Sequence, residues 1–130
     1  MGEGNEADAA SLREAWEALD NAKHRLMDGE VEVALGEAVR AAREALVALL
    51  GAGSVRGLRD ASLMSLYERV GTVSGEDEAW GSLILRCVRL LDEARAWGSV
   101  APEDVEDVIA CAEEVVNWVD AFFAHQRFGR

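Results

Sequence analysis

AKHRLMDGE, residues Ala22–Glu30, followed by ALGEAVRAAREALVALLG, residues Ala34–Gly51, encodes a helical hairpin with an apolar seam. Gly29 breaks the first helix. Beyond it, Val31, Ala34, Leu35, Ala38, Ala41, Ala42, Ala45, Leu46 and Leu49 recur at helical spacing on one broad face rich in alanine. Small side chains on that face permit close helix approach, and so short a connection predicts two antiparallel helices.

Working outward, Ser11 with Glu14 three positions later has the form of a capping box. Leu12, Trp16, Leu19, Ala22 or Lys23, and Leu26 then repeat at helical spacing, so the first helix is expected from Ser11 to about Asp28. Gly51-Ala52-Gly53-Ser54 ends the second helix. The glycine-rich segment 51–61 is expected to be the longest and most mobile connection. Residues 62–70 form a short helix with Leu63, Leu66 and Val70 inward, stopped by Gly71. Ser74 with Asp77 starts a fourth helix, whose stripe of Trp80, Leu83, Ile84, Cys87, Leu90, Leu91, Ala94 and Trp97 marks it as the central one.

Pro102, the single proline, suits the first turn of a fifth helix because its missing N–H had no intrahelical partner there. Glu103, Asp104, Glu106 and Asp107 complement that positive end. Val105, Val108, Ile109, Ala112, Val115, Val116, Val119, Phe122 and Phe123 then face the core. The fold class is all-α: an antiparallel up-down bundle of four long helices and one short one. It is expected as one domain over residues 11–125, with a flexible N-terminus at 1–10 and a tail at 126–130.

The chain has 130 residues, half of them hydrophobic and 29% charged, a globular composition. No apolar run approaches the roughly 18 residues a membrane span needs, so no membrane is expected among the partners. The N-terminus lacks a basic start and an apolar stretch, which makes a cytoplasmic location the default expectation. Net charge is −12, and the two ends supply most of it: residues 1–30 carry 8 acids against 3 bases, residues 101–130 carry 7 against 2. Free nucleic acid is disfavoured overall. Residues 31–60 balance four acids with four arginines, and 61–100 carry six acids and four arginines, so an arginine surface on the middle helices is the place for an anion. Arginine outnumbers lysine 12 to 1, which favours planar bidentate contacts.

No catalytic constellation, cofactor motif or metal-ligand spacing stands in the chain. Glu-x-x-His pairs for a dinuclear metal bundle are missing, and Cys87 and Cys111 have no second pair to complete a zinc site. The two cysteines fall on apolar faces and read as small buried hydrophobes, or as sulfurs that approach one another if their helices are antiparallel neighbours. His24 and His125 read as solvated or locally bonded histidines. Trp16, Trp80, Trp97 and Trp118 read as core or interface anchors before base-stacking platforms. Among the cations, Arg40 and Arg43 share a helix face, Arg86 and Arg89 share another, and Arg56 and Arg59 lie on the 51–61 loop. Two readings compete for them. They cradle phosphate, or Arg40 with Glu37 and Glu44, and Arg89 with Asp92 and Glu93, are surface ion pairs.

The segment Leu19–Gly29, the alanine-rich Ala34–Leu50, and Leu90–Phe123 with its acidic helix start and Trp-Val end together resemble the HEPN domain, a small helical family associated with nucleotides. The PaREP1 group has a similar opening hairpin. The resemblance covers nearly the whole chain after residue 10. It implies a homodimer formed through helix faces and an association with nucleotides or RNA. Many members are ribonucleases that carry Arg-x4–6-His near the start of the final helix. Here Arg95 is followed through Pro102 by no histidine, and neither His24 nor His125 has an arginine at the required distance upstream. The resemblance therefore points to the members that act as partners of a separately encoded minimal nucleotidyltransferase. Arg40, Arg43, Arg86, Arg89 and Arg95 are the candidate anion- or nucleotide-binding residues, and no catalytic residue, cofactor or metal is assigned. A divergent endoribonuclease using Arg95 is the alternative.

Overall fold

The hairpin ends its first helix with a Schellman closure at Gly29. Gly29 takes φ +82°, the Gly29 amide donates to the Leu26 carbonyl at 3.1 Å, and the Glu30 amide donates to the Arg25 carbonyl at 2.9 Å. An Arg25–Glu30 ion pair of 3.0 Å spans the same turn. The Glu30 carbonyl then accepts the Ala34 amide at 3.0 Å, so this residue closes one helix and opens the next. The reversal is as tight as its length predicts.

The computed structural model describes the backbone of residues 2–50, 62–74, 78–97 and 99–128. Side chains are described over 10–50, 62–69, 84–97 and 99–124. Five helices follow in order: α1 (Gly2–Met27), α2 (Val31–Leu50), α3 (Leu63–Ser74), α4 (Glu78–Ala94) and α5 (Pro102–Phe128). Among the described residues there is no strand. No helix among them is long and apolar enough to cross a membrane.

Three expected boundaries move. α1 begins at Gly2, so Ser11 and Glu14 sit within a continuing helix and do not cap it. The residues before Ser11 include alanines, which have high helix propensity, so the helix continues through them. α3 runs through Gly71 to Ser74, since one helical glycine costs only about 1 kcal/mol against alanine and does not by itself end a helix. α5 extends to Phe128, past the expected boundary at residue 125. The 51–61 connection lies outside the described residues.

The core is mostly alanine and valine. Ala15, Ala18 and Ala22 of α1 and Ala34, Ala38, Ala41, Ala42 and Ala45 of α2 are wholly buried, with Leu19 and Leu46 among them. α2 is the central helix in place of α4, because it packs against α1, α3, α4 and α5, whereas among the described residues α4 meets only α2, α3 and α5. An apolar stripe reports burial on one side, and α4's stripe is that of a flanking helix. α5 is covered by α1, α2 and α4 and buries a wide arc: Val105, Val108, Ile109, Ala112, Val115, Val116, Trp118 and Val119. That breadth draws Trp118 inside, where its ring lies 6.0 Å from that of Tyr67 on α3. Phe122 and Phe123 are half-buried and meet edge to face at 6.2 Å. β-Branched residues have modest helix propensity, so α5 is helical because burial holds it so.

Candidate functional site

The chemistry of the α3–α4 junction starts from the orphan amides of a helix N-terminus. Ser62 caps α3: its carbonyl accepts the Leu66 amide at 3.2 Å and its Oγ accepts the Ser65 amide at 3.1 Å. The two remaining first-turn amides are taken from another helix. Asp92, in the last turn of α4, accepts Leu63 N–H on Oδ1 and Met64 N–H on Oδ2, each at 2.9 Å. Arg95, one turn further on, places Nη1 3.6 Å from Asp92 Oδ1. A carboxylate at a helix N-terminus, backed by a guanidinium, is electrostatically satisfied on both sides.

This arrangement decides the arginines of α4. Asp92 does not serve Arg89, three residues before it, because both of its oxygens are turned to α3. Arg86 and Arg89 are exposed and, among the described residues, neither has a carboxylate within ion-pair distance. They lie one turn apart on the solvent side of α4, next to Glu93, while Cys87, Val88 and Leu91 turn inward. Two guanidinium groups without a fixed partner at that spacing present planar donors for an anion.

The other candidates are differently placed. Arg40 is exposed on α2 and pairs with Glu37 at 3.3 Å, as the ion-pair reading expects for that residue. Arg43 is half-buried on the same helix and is engaged. Glu44, between them and α1, has its carboxyl pushed above the usual range, first by burial and then by the charge and hydrogen bond of Glu14 on α1; Arg40 and Arg43 pull it the other way. Arg40 and Arg43 therefore belong to a mixed-charge seam between α1 and α2. Arg95 is tied to Asp92.

His24 is exposed and bonded locally: its Nδ1 lies 2.9 Å from the Asp20 carbonyl oxygen and 3.7 Å from the Asp20 carboxylate. No group of three or more histidine, cysteine or acidic residues is placed to hold a metal ion among the described residues. Arg56, Arg59 and the side chains of Trp80 and His125 lie outside the described residues. Asp92 as a cap is the feature sequence reasoning missed, since a carboxylate that caps a helix 28 and 29 residues away leaves no spacing signature. The nearer half of the signal, Ser62 just before the Leu63–Leu66 repeat, is a capping residue in plain sight.

A protein-family model described as the HEPN domain matches residues 9–122. No curated protein and no solved structure matches the chain.

Proposed function

Because the chain belongs to the HEPN domain family, we propose that it works as a non-catalytic member of it, a homodimeric module that binds a nucleotide or RNA anion. A minimal nucleotidyltransferase, separately encoded, is the proposed protein partner. The observation that carries the anion-binding part is the Arg86–Arg89 pair, exposed and without an ion-pair partner among the described residues. An acidic protein that leaves two neighbouring arginines uncompensated spends no internal pair on them, and a phosphate supplies the missing charge. The non-catalytic part rests on the sequence: no histidine follows any arginine at the Arg-x4–6-His spacing. Arg95, the nearest candidate for a nuclease arginine, has a structural use at Asp92.

The test is to titrate purified protein with ATP and with single-stranded RNA while following melting temperature and RNA integrity. Binding raises the melting temperature according to ligand concentration over Kd. Stabilisation by nucleotide or RNA, lost when Arg86 and Arg89 are both changed to alanine, and with RNA left intact, supports the reading. RNA cleavage that disappears in Arg95→Ala overturns the non-catalytic part, and a strictly monomeric mass by light scattering overturns the dimer. If the neighbouring gene encodes a minimal nucleotidyltransferase, failure of the two products to co-purify after co-expression removes that partner.

A further inference from the structure

Cys87 on α4 and Cys111 on α5 are the only cysteines of the chain, both free thiols; the two helices pack together, with Cys87 in the core cluster and Cys111 packed against that cluster. Cys87 is 4% exposed, whereas Cys111 is half-buried at the edge of the same contact. The two thiols are near enough to influence one another electrostatically. Burial first, then the neighbouring Cys111 thiol and the charge of Glu114, push the Cys87 thiol up to about 12. The burial is graded: Cys111 is the half-buried thiol, and Cys87 is the buried one on the helix packed against it. Oxidation of a reachable sulfur beside a second thiol resolves by condensation between the two.

We propose that Cys87 and Cys111 form an oxidation-sensitive dithiol, in which a peroxide closes a disulfide that ties α4 to α5. Cys111, as thiolate, attacks one peroxide oxygen; the O–O bond breaks, hydroxide leaves, and Cys111 becomes a sulfenic acid. Cys87 sulfur then attacks Cys111 sulfur, the S–O bond breaks, and the hydroxyl departs with the Cys87 proton as water. Two electrons pass from the thiol pair to the peroxide. A small-molecule dithiol reverses the step by exchange. The closed bond encircles the α4–α5 connection, including Arg95, and fixes the turn of α4 that carries Arg86. It does not depend on what Arg86 binds.

The experiment uses the reduced full chain and hydrogen peroxide, read by intact mass and by non-reducing tryptic peptides. Trypsin cuts after Arg86, Arg89, Arg95 and Arg127, so Cys87 emerges in the peptide of residues 87–89 and Cys111 in that of residues 96–127. Expected is the loss of two hydrogens per chain, these two peptides linked, and chains that still run at monomer mass on a non-reducing denaturing gel; dithiothreitol restores both thiols. In Cys87→Ala, folded by circular dichroism, a sulfenic acid at Cys111 is trapped by dimedone, and in Cys111→Ser the loss of hydrogens vanishes. Thiols that survive peroxide, oxygen added to the wild-type sulfurs, or a linkage found only in chains of dimer mass each overturn the proposal.

Discussion

The Asp92 carboxylate at the end of α4 accepts the Leu63 amide at the start of α3 at 2.9 Å, and its second oxygen accepts the next amide, Met64, at the same distance. One side chain in the last turn of α4 thereby caps the start of α3 and links the two helices. Asp92→Ala leaves two amides without acceptors in a part-buried junction, and is expected to cost about 1–2 kcal/mol. Asp92→Asn keeps one acceptor oxygen and falls between. Thermal unfolding followed by circular dichroism measures both. A melting temperature unchanged in Asp92→Ala would mean that the α3 amides are served by something else.

The same junction shows what a sequence makes legible. Periodicity over Ala34–Leu49 and Val105–Val119 reports burial directly, because an apolar residue every three or four positions has no other use on a solvated helix. The hairpin and Pro102 at the first position of α5 were legible for the same local reason. Pairings between helices were not. Arg89 with Asp92 at i, i+3 is an ordinary ion pair by spacing, and only the position of α3 removes the acid from it. Which arginines are uncompensated is a property of the packed bundle: of the five candidates the sequence offered, Arg86 and Arg89 are the two without an ion pair or other polar contact among the described residues.

Gly29 is held at φ +82° with open space where a Cβ would stand. Gly29→Ala therefore meets no neighbour and isolates the backbone cost, about 1–2 kcal/mol for an L-residue in this region. Equilibrium denaturation is the measurement, and an unchanged midpoint would show that the turn relaxes to another conformation.

Glu44 offers a pH-dependent prediction. Its folded carboxyl binds a proton more tightly than the unfolded one, with burial the main cause and Glu14 the next. The ionised form therefore lowers stability at pH above the folded value, and the penalty fades as pH falls through that value, vanishing below the ordinary carboxylate range. Glu44→Gln is expected to stabilise the protein near neutral pH by about 0.5 kcal/mol after solvent screening, and to lose that advantage on acidification. Melting temperature as a function of pH checks it. Destabilisation at neutral pH would mean that the attraction of Arg40 and Arg43 outweighs burial.

Replacing Arg86 and Arg89 together by alanine breaks no ion pair among the described residues, so stability should change by less than about 0.5 kcal/mol. Binding of single-stranded RNA should weaken. The slope of log affinity against log salt should flatten by roughly 1.4 if each arginine neutralises one phosphate. Arg40→Ala, which removes a residue paired to Glu37, is the comparison: it should leave that slope unchanged. Equal flattening by Arg40→Ala would shift the binding face to α2.

Two positions on α2, half a turn apart, should respond with opposite signs to added carbon. Ala38 is completely buried in the alanine seam. Close-packed interiors have no space for an isobutyl group, and Ala38→Leu must spread helices or force rotamers, at a cost of about 1–3 kcal/mol. Gly36, exposed on the same helix, has nothing within 4 Å of the place a Cβ would occupy. Gly36→Ala removes backbone freedom from the unfolded chain without a clash, and should stabilise by about 0.5–1 kcal/mol. Chemical denaturation of the two single variants decides the matter: the seam explanation fails if Ala38→Leu is tolerated as well as Gly36→Ala.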